Sequence, residues 1–298
     1  MNILHDLAWV LPLRSPEATQ LALAFSWLGY TSFIMFFVAI GYWTSSKTIF
    51  LRLLVLVAAN ALVNALIKDI FQDPRPPLEL RLDGMVGNSY GLPSGHAQLA
   101  VVLWIGLALE VRKVWAWMVF TLIALGVMFS RLYLGVHDLE DVLAGAALGS
   151  VSLLVSQAPS VQNWVQSHSI TRQSLGVAGI SGIALAAWPG VAPDYIPMLA
   201  AWLIAALWSL EADERYVGFA PPTLWWKKVL AALIGAACLY LEQKALKLAG
   251  AAWAITPMLW ALVAGITSGV LVSLVVPWLL SKARLASMCP PPDRGQEH

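Results

Sequence analysis

The feature that most constrains this chain is a series of apolar stretches, recurring from one end to the other, each long enough to cross a bilayer. A spanning helix needs about 20 predominantly apolar residues, with a range of roughly 17–25. Such stretches are read at Leu21–Trp43, Phe50–Phe71, Ser94–Val111, Val114–Tyr133, Leu139–Ser156, Leu175–Trp188, Tyr195–Leu210, Val229–Leu246 and Thr256–Leu280. That pattern predicts about nine spans and an all-α, polytopic transmembrane helical bundle. Composition agrees. Of 298 residues, 59% are hydrophobic and 12% charged, and the mean hydropathy is +0.72. A soluble domain carries about 25% charged residues, so this chain could not cover a globular surface and takes the bilayer as its solvent. A net charge of +1 and the lack of a dense basic cluster argue against a nucleic-acid partner.

Cys238 lies in an apolar run and Cys289 in a polar tail, so no disulfide and no thiol chemistry are expected. The N-terminus lacks the pattern of a removable signal peptide. Met1–Leu13 is too short to span and carries His5 and Asp6, which predicts an interfacial helix. The polar stretch Val161–Ser174 suggests a division into three parts: a catalytic transmembrane portion over 1–160, additional spans over 161–280, and a cytoplasmic, disordered tail over 281–298.

Orientation follows from the basic residues. With alternating spans, the side opposite the loop Gln72–Pro93 holds Lys47, Arg52, Arg112, Lys113, Arg172, Arg215, Lys227, Lys228, Lys282, Arg284 and Arg294. The loop side holds Arg14, Lys68, Arg75, Arg81, Arg131, Lys244 and Lys247, a split of eleven against seven. The positive-inside rule makes the richer side cytoplasmic. The expected location is a plasma (inner) membrane, with the loop side facing the periplasm or exterior and the C-terminus in the cytoplasm.

Three polar clusters fall at span ends on that outer side. The first runs from Lys68 to Arg75-Pro76, the second is Pro93-Ser94-Gly95-His96, and the third extends from Ser130-Arg131 through His137 to Asp141. Lys68, Arg75 and Arg131 supply positive charge, the arginines as planar forks that match two phosphate oxygens. Ser94 and Gly95 stand where a helix begins and its free N–H groups attract anions. His137 and Asp141, four apart on a helix start, share a face. A carboxylate so placed holds one imidazole nitrogen as N–H and leaves the other to attack. His96 offers a second imidazole able to protonate a leaving alkoxide. Taken singly, each has a plainer reading: Lys68 snorkelling to the interface, Ser94 as a helix cap, Asp141 as a first-turn acid. Their coincidence in a charge-poor chain favours function.

The tripartite pattern Lys68-x6-Arg75-Pro76, Pro93-Ser94-Gly95-His96 and Ser130-Arg131-x5-His137-x3-Asp141 resembles the signature of the type 2 phosphatidic acid phosphatase (PAP2) superfamily, with every position filled in order. The resemblance covers roughly the first half of the chain. It implies a metal-independent, cofactor-free phosphoric monoester or pyrophosphate hydrolase. In that reading His137 attacks phosphorus to form a phosphohistidine, Asp141 orients it, and His96 protonates the leaving group. Lys68, Arg75, Ser94, Gly95 and Arg131 hold the phosphoryl oxygens. The run Ser130–His137 also resembles the sphingosine-phosphate phosphatase branch. The expected substrate and partner is a membrane lipid phosphate: phosphatidic acid, phosphatidylglycerophosphate, undecaprenyl pyrophosphate or a sphingoid-base phosphate. A small soluble phosphate ester is the alternative substrate, and a non-enzymatic lipid transporter the alternative class.

Other features have quieter readings. Asn60, Asn64 and Lys68 form one stripe, either orienting Lys68 or bonding between helices. The pairs Gly145/Gly149 and Gly265/Gly269 predict close helix contacts. Asp73, Asp83 and Glu140 read as solvated loop acids rather than metal ligands, and Glu242 with Lys244 as a pair or as snorkelling groups. For the spans after residue 160 the sequence favours a structural or dimerising role.

Overall fold

A computed structural model describes residues 4–87, 89–252 and 256–288. Nearly all of its regular structure is helical, as the apolar stretches require. In chain order the helices are α1 (Pro16–Trp27), α2 (Thr31–Thr44), α3 (Lys47–Phe71), α4 (Gly95–Val111), α5 (Val114–Tyr133), α6 (Leu139–Gln157), α7 (Pro159–Ser167), α8 (Ile170–Ala186), α9 (Tyr195–Tyr216), α10 (Trp225–Ala252) and α11 (Pro257–Lys282). A two-residue strand, Phe219–Ala220, pairs antiparallel with Ser287–Met288. Order therefore extends to Met288 within the tail expected to be disordered; Cys289 and the prolines after it lie outside the described residues.

Length and apolarity alone do not support all nine expected spans. Among the described residues six helices pass both tests: α3, α5, α6, α9, α10 and α11. The bent pair α1 and α2, with 56° between them, makes a seventh if it is one span. A continuous apolar run does not reveal such a break, because Leu28-Gly29-Tyr30 is as apolar as its neighbours. α4 is apolar but short, and a wide π-type turn at Val101–Ile105 interrupts its regular winding.

The chain divides into two compact units. The first comprises residues 1–35, 53–166 and 188–191, and the second residues 36–52, 167–187 and 192–298. The second unit thus draws on a segment well before residue 160. Within the first, α1 packs on α5, and α4 packs on both α5 and α6. The α4–α6 contact is very close. A Cβ on Gly145 would lie 2.3 Å from the Ser94 carbonyl oxygen, and one on Gly149 2.7 Å from that of Gln98. The small residues are what let these backbones meet. Polar groups join the same helices: Asn64 Nδ2 donates to Gln98 Oε1 at 2.9 Å, Gln98 Nε2 to Asn60 Oδ1 at 2.8 Å, and Ser152 Oγ to Asn60 Oδ1 at 2.9 Å. The asparagine stripe serves interhelical bonding.

The segment before α1 is not the expected interfacial helix. It runs as turns and one short 3₁₀ turn, Leu11–Leu13. Leu7 and Val10 are buried against Leu132, Leu134, Val136 and Val142, so this strap lies over the loop that carries His137. Leu139 N–H donates to the Leu4 carbonyl at 3.0 Å. Both nitrogens of His5 face carboxylates, Nδ1 at 2.8 Å from Asp138 and Nε2 at 3.1 Å from Glu140. The hydrogen bond to Asp138, with the charge of Glu140, pushes the His5 pKa up.

In the second unit α9 packs on α11 and α8. Gly265 and Gly269 make the expected approach: added Cβ atoms would lie 2.2 Å from the Met198 oxygen and 2.7 Å from that of Trp202. A partly buried ion pair joins Lys47 Nζ to Asp213 Oδ2 at 2.5 Å. Glu242 accepts a hydrogen bond from Ser268 at 2.8 Å and is not paired with Lys244.

Candidate active site

Each cluster foreseen in the sequence sits where a helix starts or stops, and the first unit gathers all three. α3 delivers Lys68 in its last turn. The ammonium, buried, donates to the carbonyls of Tyr90 and of Gly91, the latter at 2.8 Å. Lys68 therefore braces the loop that leads into α4 instead of snorkelling. Ser94 caps α4 through its side chain, and its own N–H donates to the Asp141 carbonyl at 2.9 Å. Gly95 opens the helix with Asn64 Oδ1 only 3.0 Å from where its Cβ would be.

The start of α6 is fixed by a capping box. Asp138 accepts from the Asp141 N–H at 3.0 Å, and the Asp141 side chain reaches back to the Asp138 N–H at 3.4 Å. The same carboxylate accepts from His137 Nδ1 at 2.8 Å. Both side chains are shielded, His137 and Asp141 each being 1% exposed. On the other edge of the ring, Arg75 Nη1 lies 2.8 Å from His137 Nε2. A guanidinium only donates, so Nε2 presents its lone pair and the proton resides on Nδ1. Arg75 also donates to the Val136 carbonyl at 2.9 Å and to Ser89, its Nε to the carbonyl at 2.6 Å and its Nη2 to Oγ at 3.0 Å. Burial, followed by the charge of Arg131, lowers Arg75 to about 10, still cationic at neutral pH. Burial, then the charges of Arg75, Lys68 and Arg131, holds His137 well below the ordinary imidazole value, so it is neutral.

Arg131 ends α5 and is 1% exposed. Its Nη1 donates to Ser26 Oγ and, at 3.0 Å, to Asp83 Oδ2. Its Nε is buried without a hydrogen-bond partner among the described residues, as are His96 Nε2 and Asp141 Oδ1. The His96 ring meets Tyr30 edge to face with centroids 4.6 Å apart.

Asp83 is a correction to the sequence reading. It is buried, not solvated, and accepts from Tyr30, Ser26, Arg131 and the Met85 N–H. Burial alone would raise its pKa, but the hydrogen bonds from Tyr30 and Arg131 outweigh that and hold it below the usual carboxylate value. Glu140 faces His5, and Asp73 is half-buried. Among the described residues no three His, Cys, Asp or Glu side chains are grouped to hold a metal. Sequence reasoning did not single out Ser26, Tyr30, Ser89 or Gly91. None carries a local pattern, and they reach the site only through tertiary contact.

A cleft of about 570 Å³ opens beside Arg75. The N-terminal strap lines it with His5, Leu7 and Leu11, and the loop after α3 with Pro74, Pro77 and Leu80.

With this geometry in hand, the chain can be set beside known proteins. Residues 49–163, which hold all three clusters, match the family model described as the PAP2 superfamily. Over this segment the chain is similar to the PAP2 superfamily. Sphingosine-1-phosphate phosphatase 2 of Mus musculus is 27% identical to the chain over 137 residues, covering 43% of this chain and 39% of that protein. Glucose-6-phosphatase catalytic subunit 1 of Haplochromis xenognathus is 25% identical over 142 residues, covering 42% and 47% respectively. The chain spans less than half the length of the curated relatives it matches. Among solved structures, the transmembrane PAP2-type phosphatidylglycerolphosphate phosphatase from Bacillus subtilis is similar at a TM-score of 0.46 and 24% identity, over 54% of this chain and 83% of that one. The helices after residue 163 lie beyond the family match.

Proposed function

We propose that the chain is a membrane phosphatase that hydrolyses a phosphomonoester or pyrophosphate of a membrane lipid through a phosphohistidine on His137. The observation that carries this reading is the line Asp141–His137–Arg75. A carboxylate holds Nδ1–H at 2.8 Å, while a guanidinium stands 2.8 Å from the lone pair of Nε2. An anion drawn to Arg75 is thereby brought against the atom able to attack it.

In the first step Nε2 forms a bond to phosphorus and the bond from phosphorus to the ester oxygen breaks. His96 gives a proton to that oxygen, and the alcohol departs. Asp141 stabilises the positive ring that results. In the second step water, giving its proton back to His96, displaces the histidine and releases inorganic phosphate. Lys68, Arg75 and Arg131, with the N–H groups at Ser94 and Gly95, offset charge growing on the equatorial oxygens. Side chains meet the cation demand, so no metal is required. The cleft beside Arg75 is also lined by Asp6, Asp73 and Asp138, but its apolar part, with Leu7, Leu11, Pro74, Pro77 and Leu80, suits a substrate whose hydrocarbon part stays near the bilayer.

Similarity to a glucose-6-phosphatase favours a second reading, a small soluble phosphate ester. One experiment separates the two. Detergent-purified protein is offered a panel of lipid phosphates and glucose 6-phosphate, with and without EDTA. The expected outcome is phosphate release from a lipid substrate, unaffected by EDTA and reduced to background in His137→Ala. Release by that variant would sink the covalent mechanism, and sensitivity to EDTA the metal-free one. A wild-type chain that releases nothing would favour a transporter.

A further inference from the structure

The family match and the three sequence clusters all lie after residue 49, yet a fourth segment touches the site from before it. Ser26 is buried in the last turn of α1, and Gly29 and Tyr30 occupy the break where the chain turns into α2. Tyr30 Oη donates to Asp83, lying 2.9 Å from Oδ1 and 2.7 Å from Oδ2. Ser26 Oγ donates its single proton to Asp83 Oδ2 at 3.1 Å, so its lone pair is what accepts from Arg131 Nη1. Asp83 takes a further bond from Arg131 Nη1 at 3.0 Å. All four side chains are buried or partly so.

The consequence is a guanidinium tethered at one corner. Nη1 is committed to Ser26 and Asp83, while Nε, equally buried, has no partner among the described residues. A buried donor left without an acceptor costs free energy unless a ligand supplies one. The same break positions His96. Its ring sits edge-on to Tyr30 at 4.6 Å, and a Cβ on Gly29 would lie 2.7 Å from His96 Cδ2. Only a glycine leaves the ring that place. His96 Nε2 is likewise buried and unpartnered.

We propose that Ser26, Tyr30 and Asp83 form a positioning network that aims Arg131 at the phosphate and, through the Tyr30 ring and Gly29, seats His96 beside it. The inference rests on the reading of Arg131 and His96 as groups that act on phosphate. None of the network residues touches the reacting atoms. Asp83 fixes the direction of the arginine fork, and its negative charge keeps the guanidinium from being buried unpaired. The broken first helix is therefore a working part of the site, not only a lipid-facing cover.

The test uses the full-length chain in detergent, with inorganic phosphate as the binding probe, read by calorimetry, alongside turnover and thermal unfolding. Tyr30→Phe keeps the ring against His96 and removes only the hydroxyl; Asp83→Asn keeps an acceptor and removes the charge. Both should weaken phosphate binding and raise KM by roughly tenfold, the scale of a lost charge-assisted hydrogen bond, with the unfolding transition of Tyr30→Phe unchanged. Should Asp83→Asn fail to fold, Tyr30→Phe and Ser26→Ala decide the matter. Phosphate affinity and KM equal to wild type in folded variants would overturn the proposal, as would a lowered unfolding midpoint with affinity intact. A wild-type chain that turns over no substrate would defeat the catalytic reading, and the phosphate-binding comparison would still judge the network.

Discussion

The tautomer of His137 is set by its two neighbours. Asp141 accepts from Nδ1 and Arg75 can only donate to Nε2, so the ring is neutral with its lone pair on the side of the guanidinium. Replacing Asp141 by Asn leaves an isosteric group but removes the charge that, in the proposed mechanism, stabilises the ring once it bonds to phosphorus. Asp141→Asn should lower kcat by on the order of 10²–10⁴-fold with a smaller change in KM; steady-state kinetics against the best substrate of the panel checks this. Burial and the nearby cations also fix a pH dependence. In the proposed mechanism His137 must be unprotonated to attack, and burial with the nearby cations depresses its pKa in the folded protein. The acid limb of kcat/KM, corrected for ionisation of the substrate phosphate, should therefore lie below the ordinary imidazole value of about 6.5. The sign for stability follows. Between the depressed value and about 6.5 the unfolded chain binds more protons than the native one, so His137 makes stability fall as pH is lowered through that window. An acid limb above that value would show that the cations do not govern the ring.

Among elements, the contact of α4 with α6 decides whether the second and third clusters meet. The Ser94 carbonyl lies where a side chain at Gly145 would begin, and the Ser94 N–H is bonded to the Asp141 carbonyl. Gly145→Ala places a methyl 2.3 Å from a backbone oxygen, which cannot swing aside as a flexible side chain would. The helices must part, and the expected cost is about 1–3 kcal/mol, seen as a lower unfolding midpoint in detergent together with reduced turnover. Unchanged stability and activity would mean that the two backbones are not so close. The glycine spacing was legible in the sequence, since a small residue every fourth position marks a close helix contact. Which helix it meets was not, because the pattern is the same for any partner. The asparagine stripe teaches the same lesson. Asn60 and Asn64 read equally well as a track to Lys68 or as packing, and only the position of Gln98 and Ser152 across the gap decides for packing.

For the whole molecule, the testable property is the direction in which the site faces. With alternating spans, the basic residues predict that the loop after α3 lies outside. Leu78, in that loop and 73% exposed, is a suitable reporter. In a chain carrying Cys238→Ser and Cys289→Ser, a Leu78→Cys substitution should react with an impermeant maleimide in intact cells. Labelling only after the cells are permeabilised would reverse the orientation. The count of crossings was the weakest part of the sequence reading at this scale. Eight of the nine apolar runs fall on single helices and the first on a bent pair, but among the described residues only six helices meet the demands of length and apolarity by themselves. Hydropathy averages over a window and does not register a 56° break, a short helix or a polar end.

By itself the sequence determined the solvent of the chain, its helical class, and the residue types that meet at one membrane end. These follow from apolar periodicity and from spacings within a single turn, such as the four residues between His137 and Asp141. Tertiary structure alone decided what those residues hold on to. Asp83 lies 48 positions from Arg131 and Ser26 lies 105, and no local pattern links them. In the apolar interior a buried charge must find its counter-charge and each donor an acceptor. That demand is met by whichever residue the packing brings near, so it is settled by the fold and not by the neighbours along the chain.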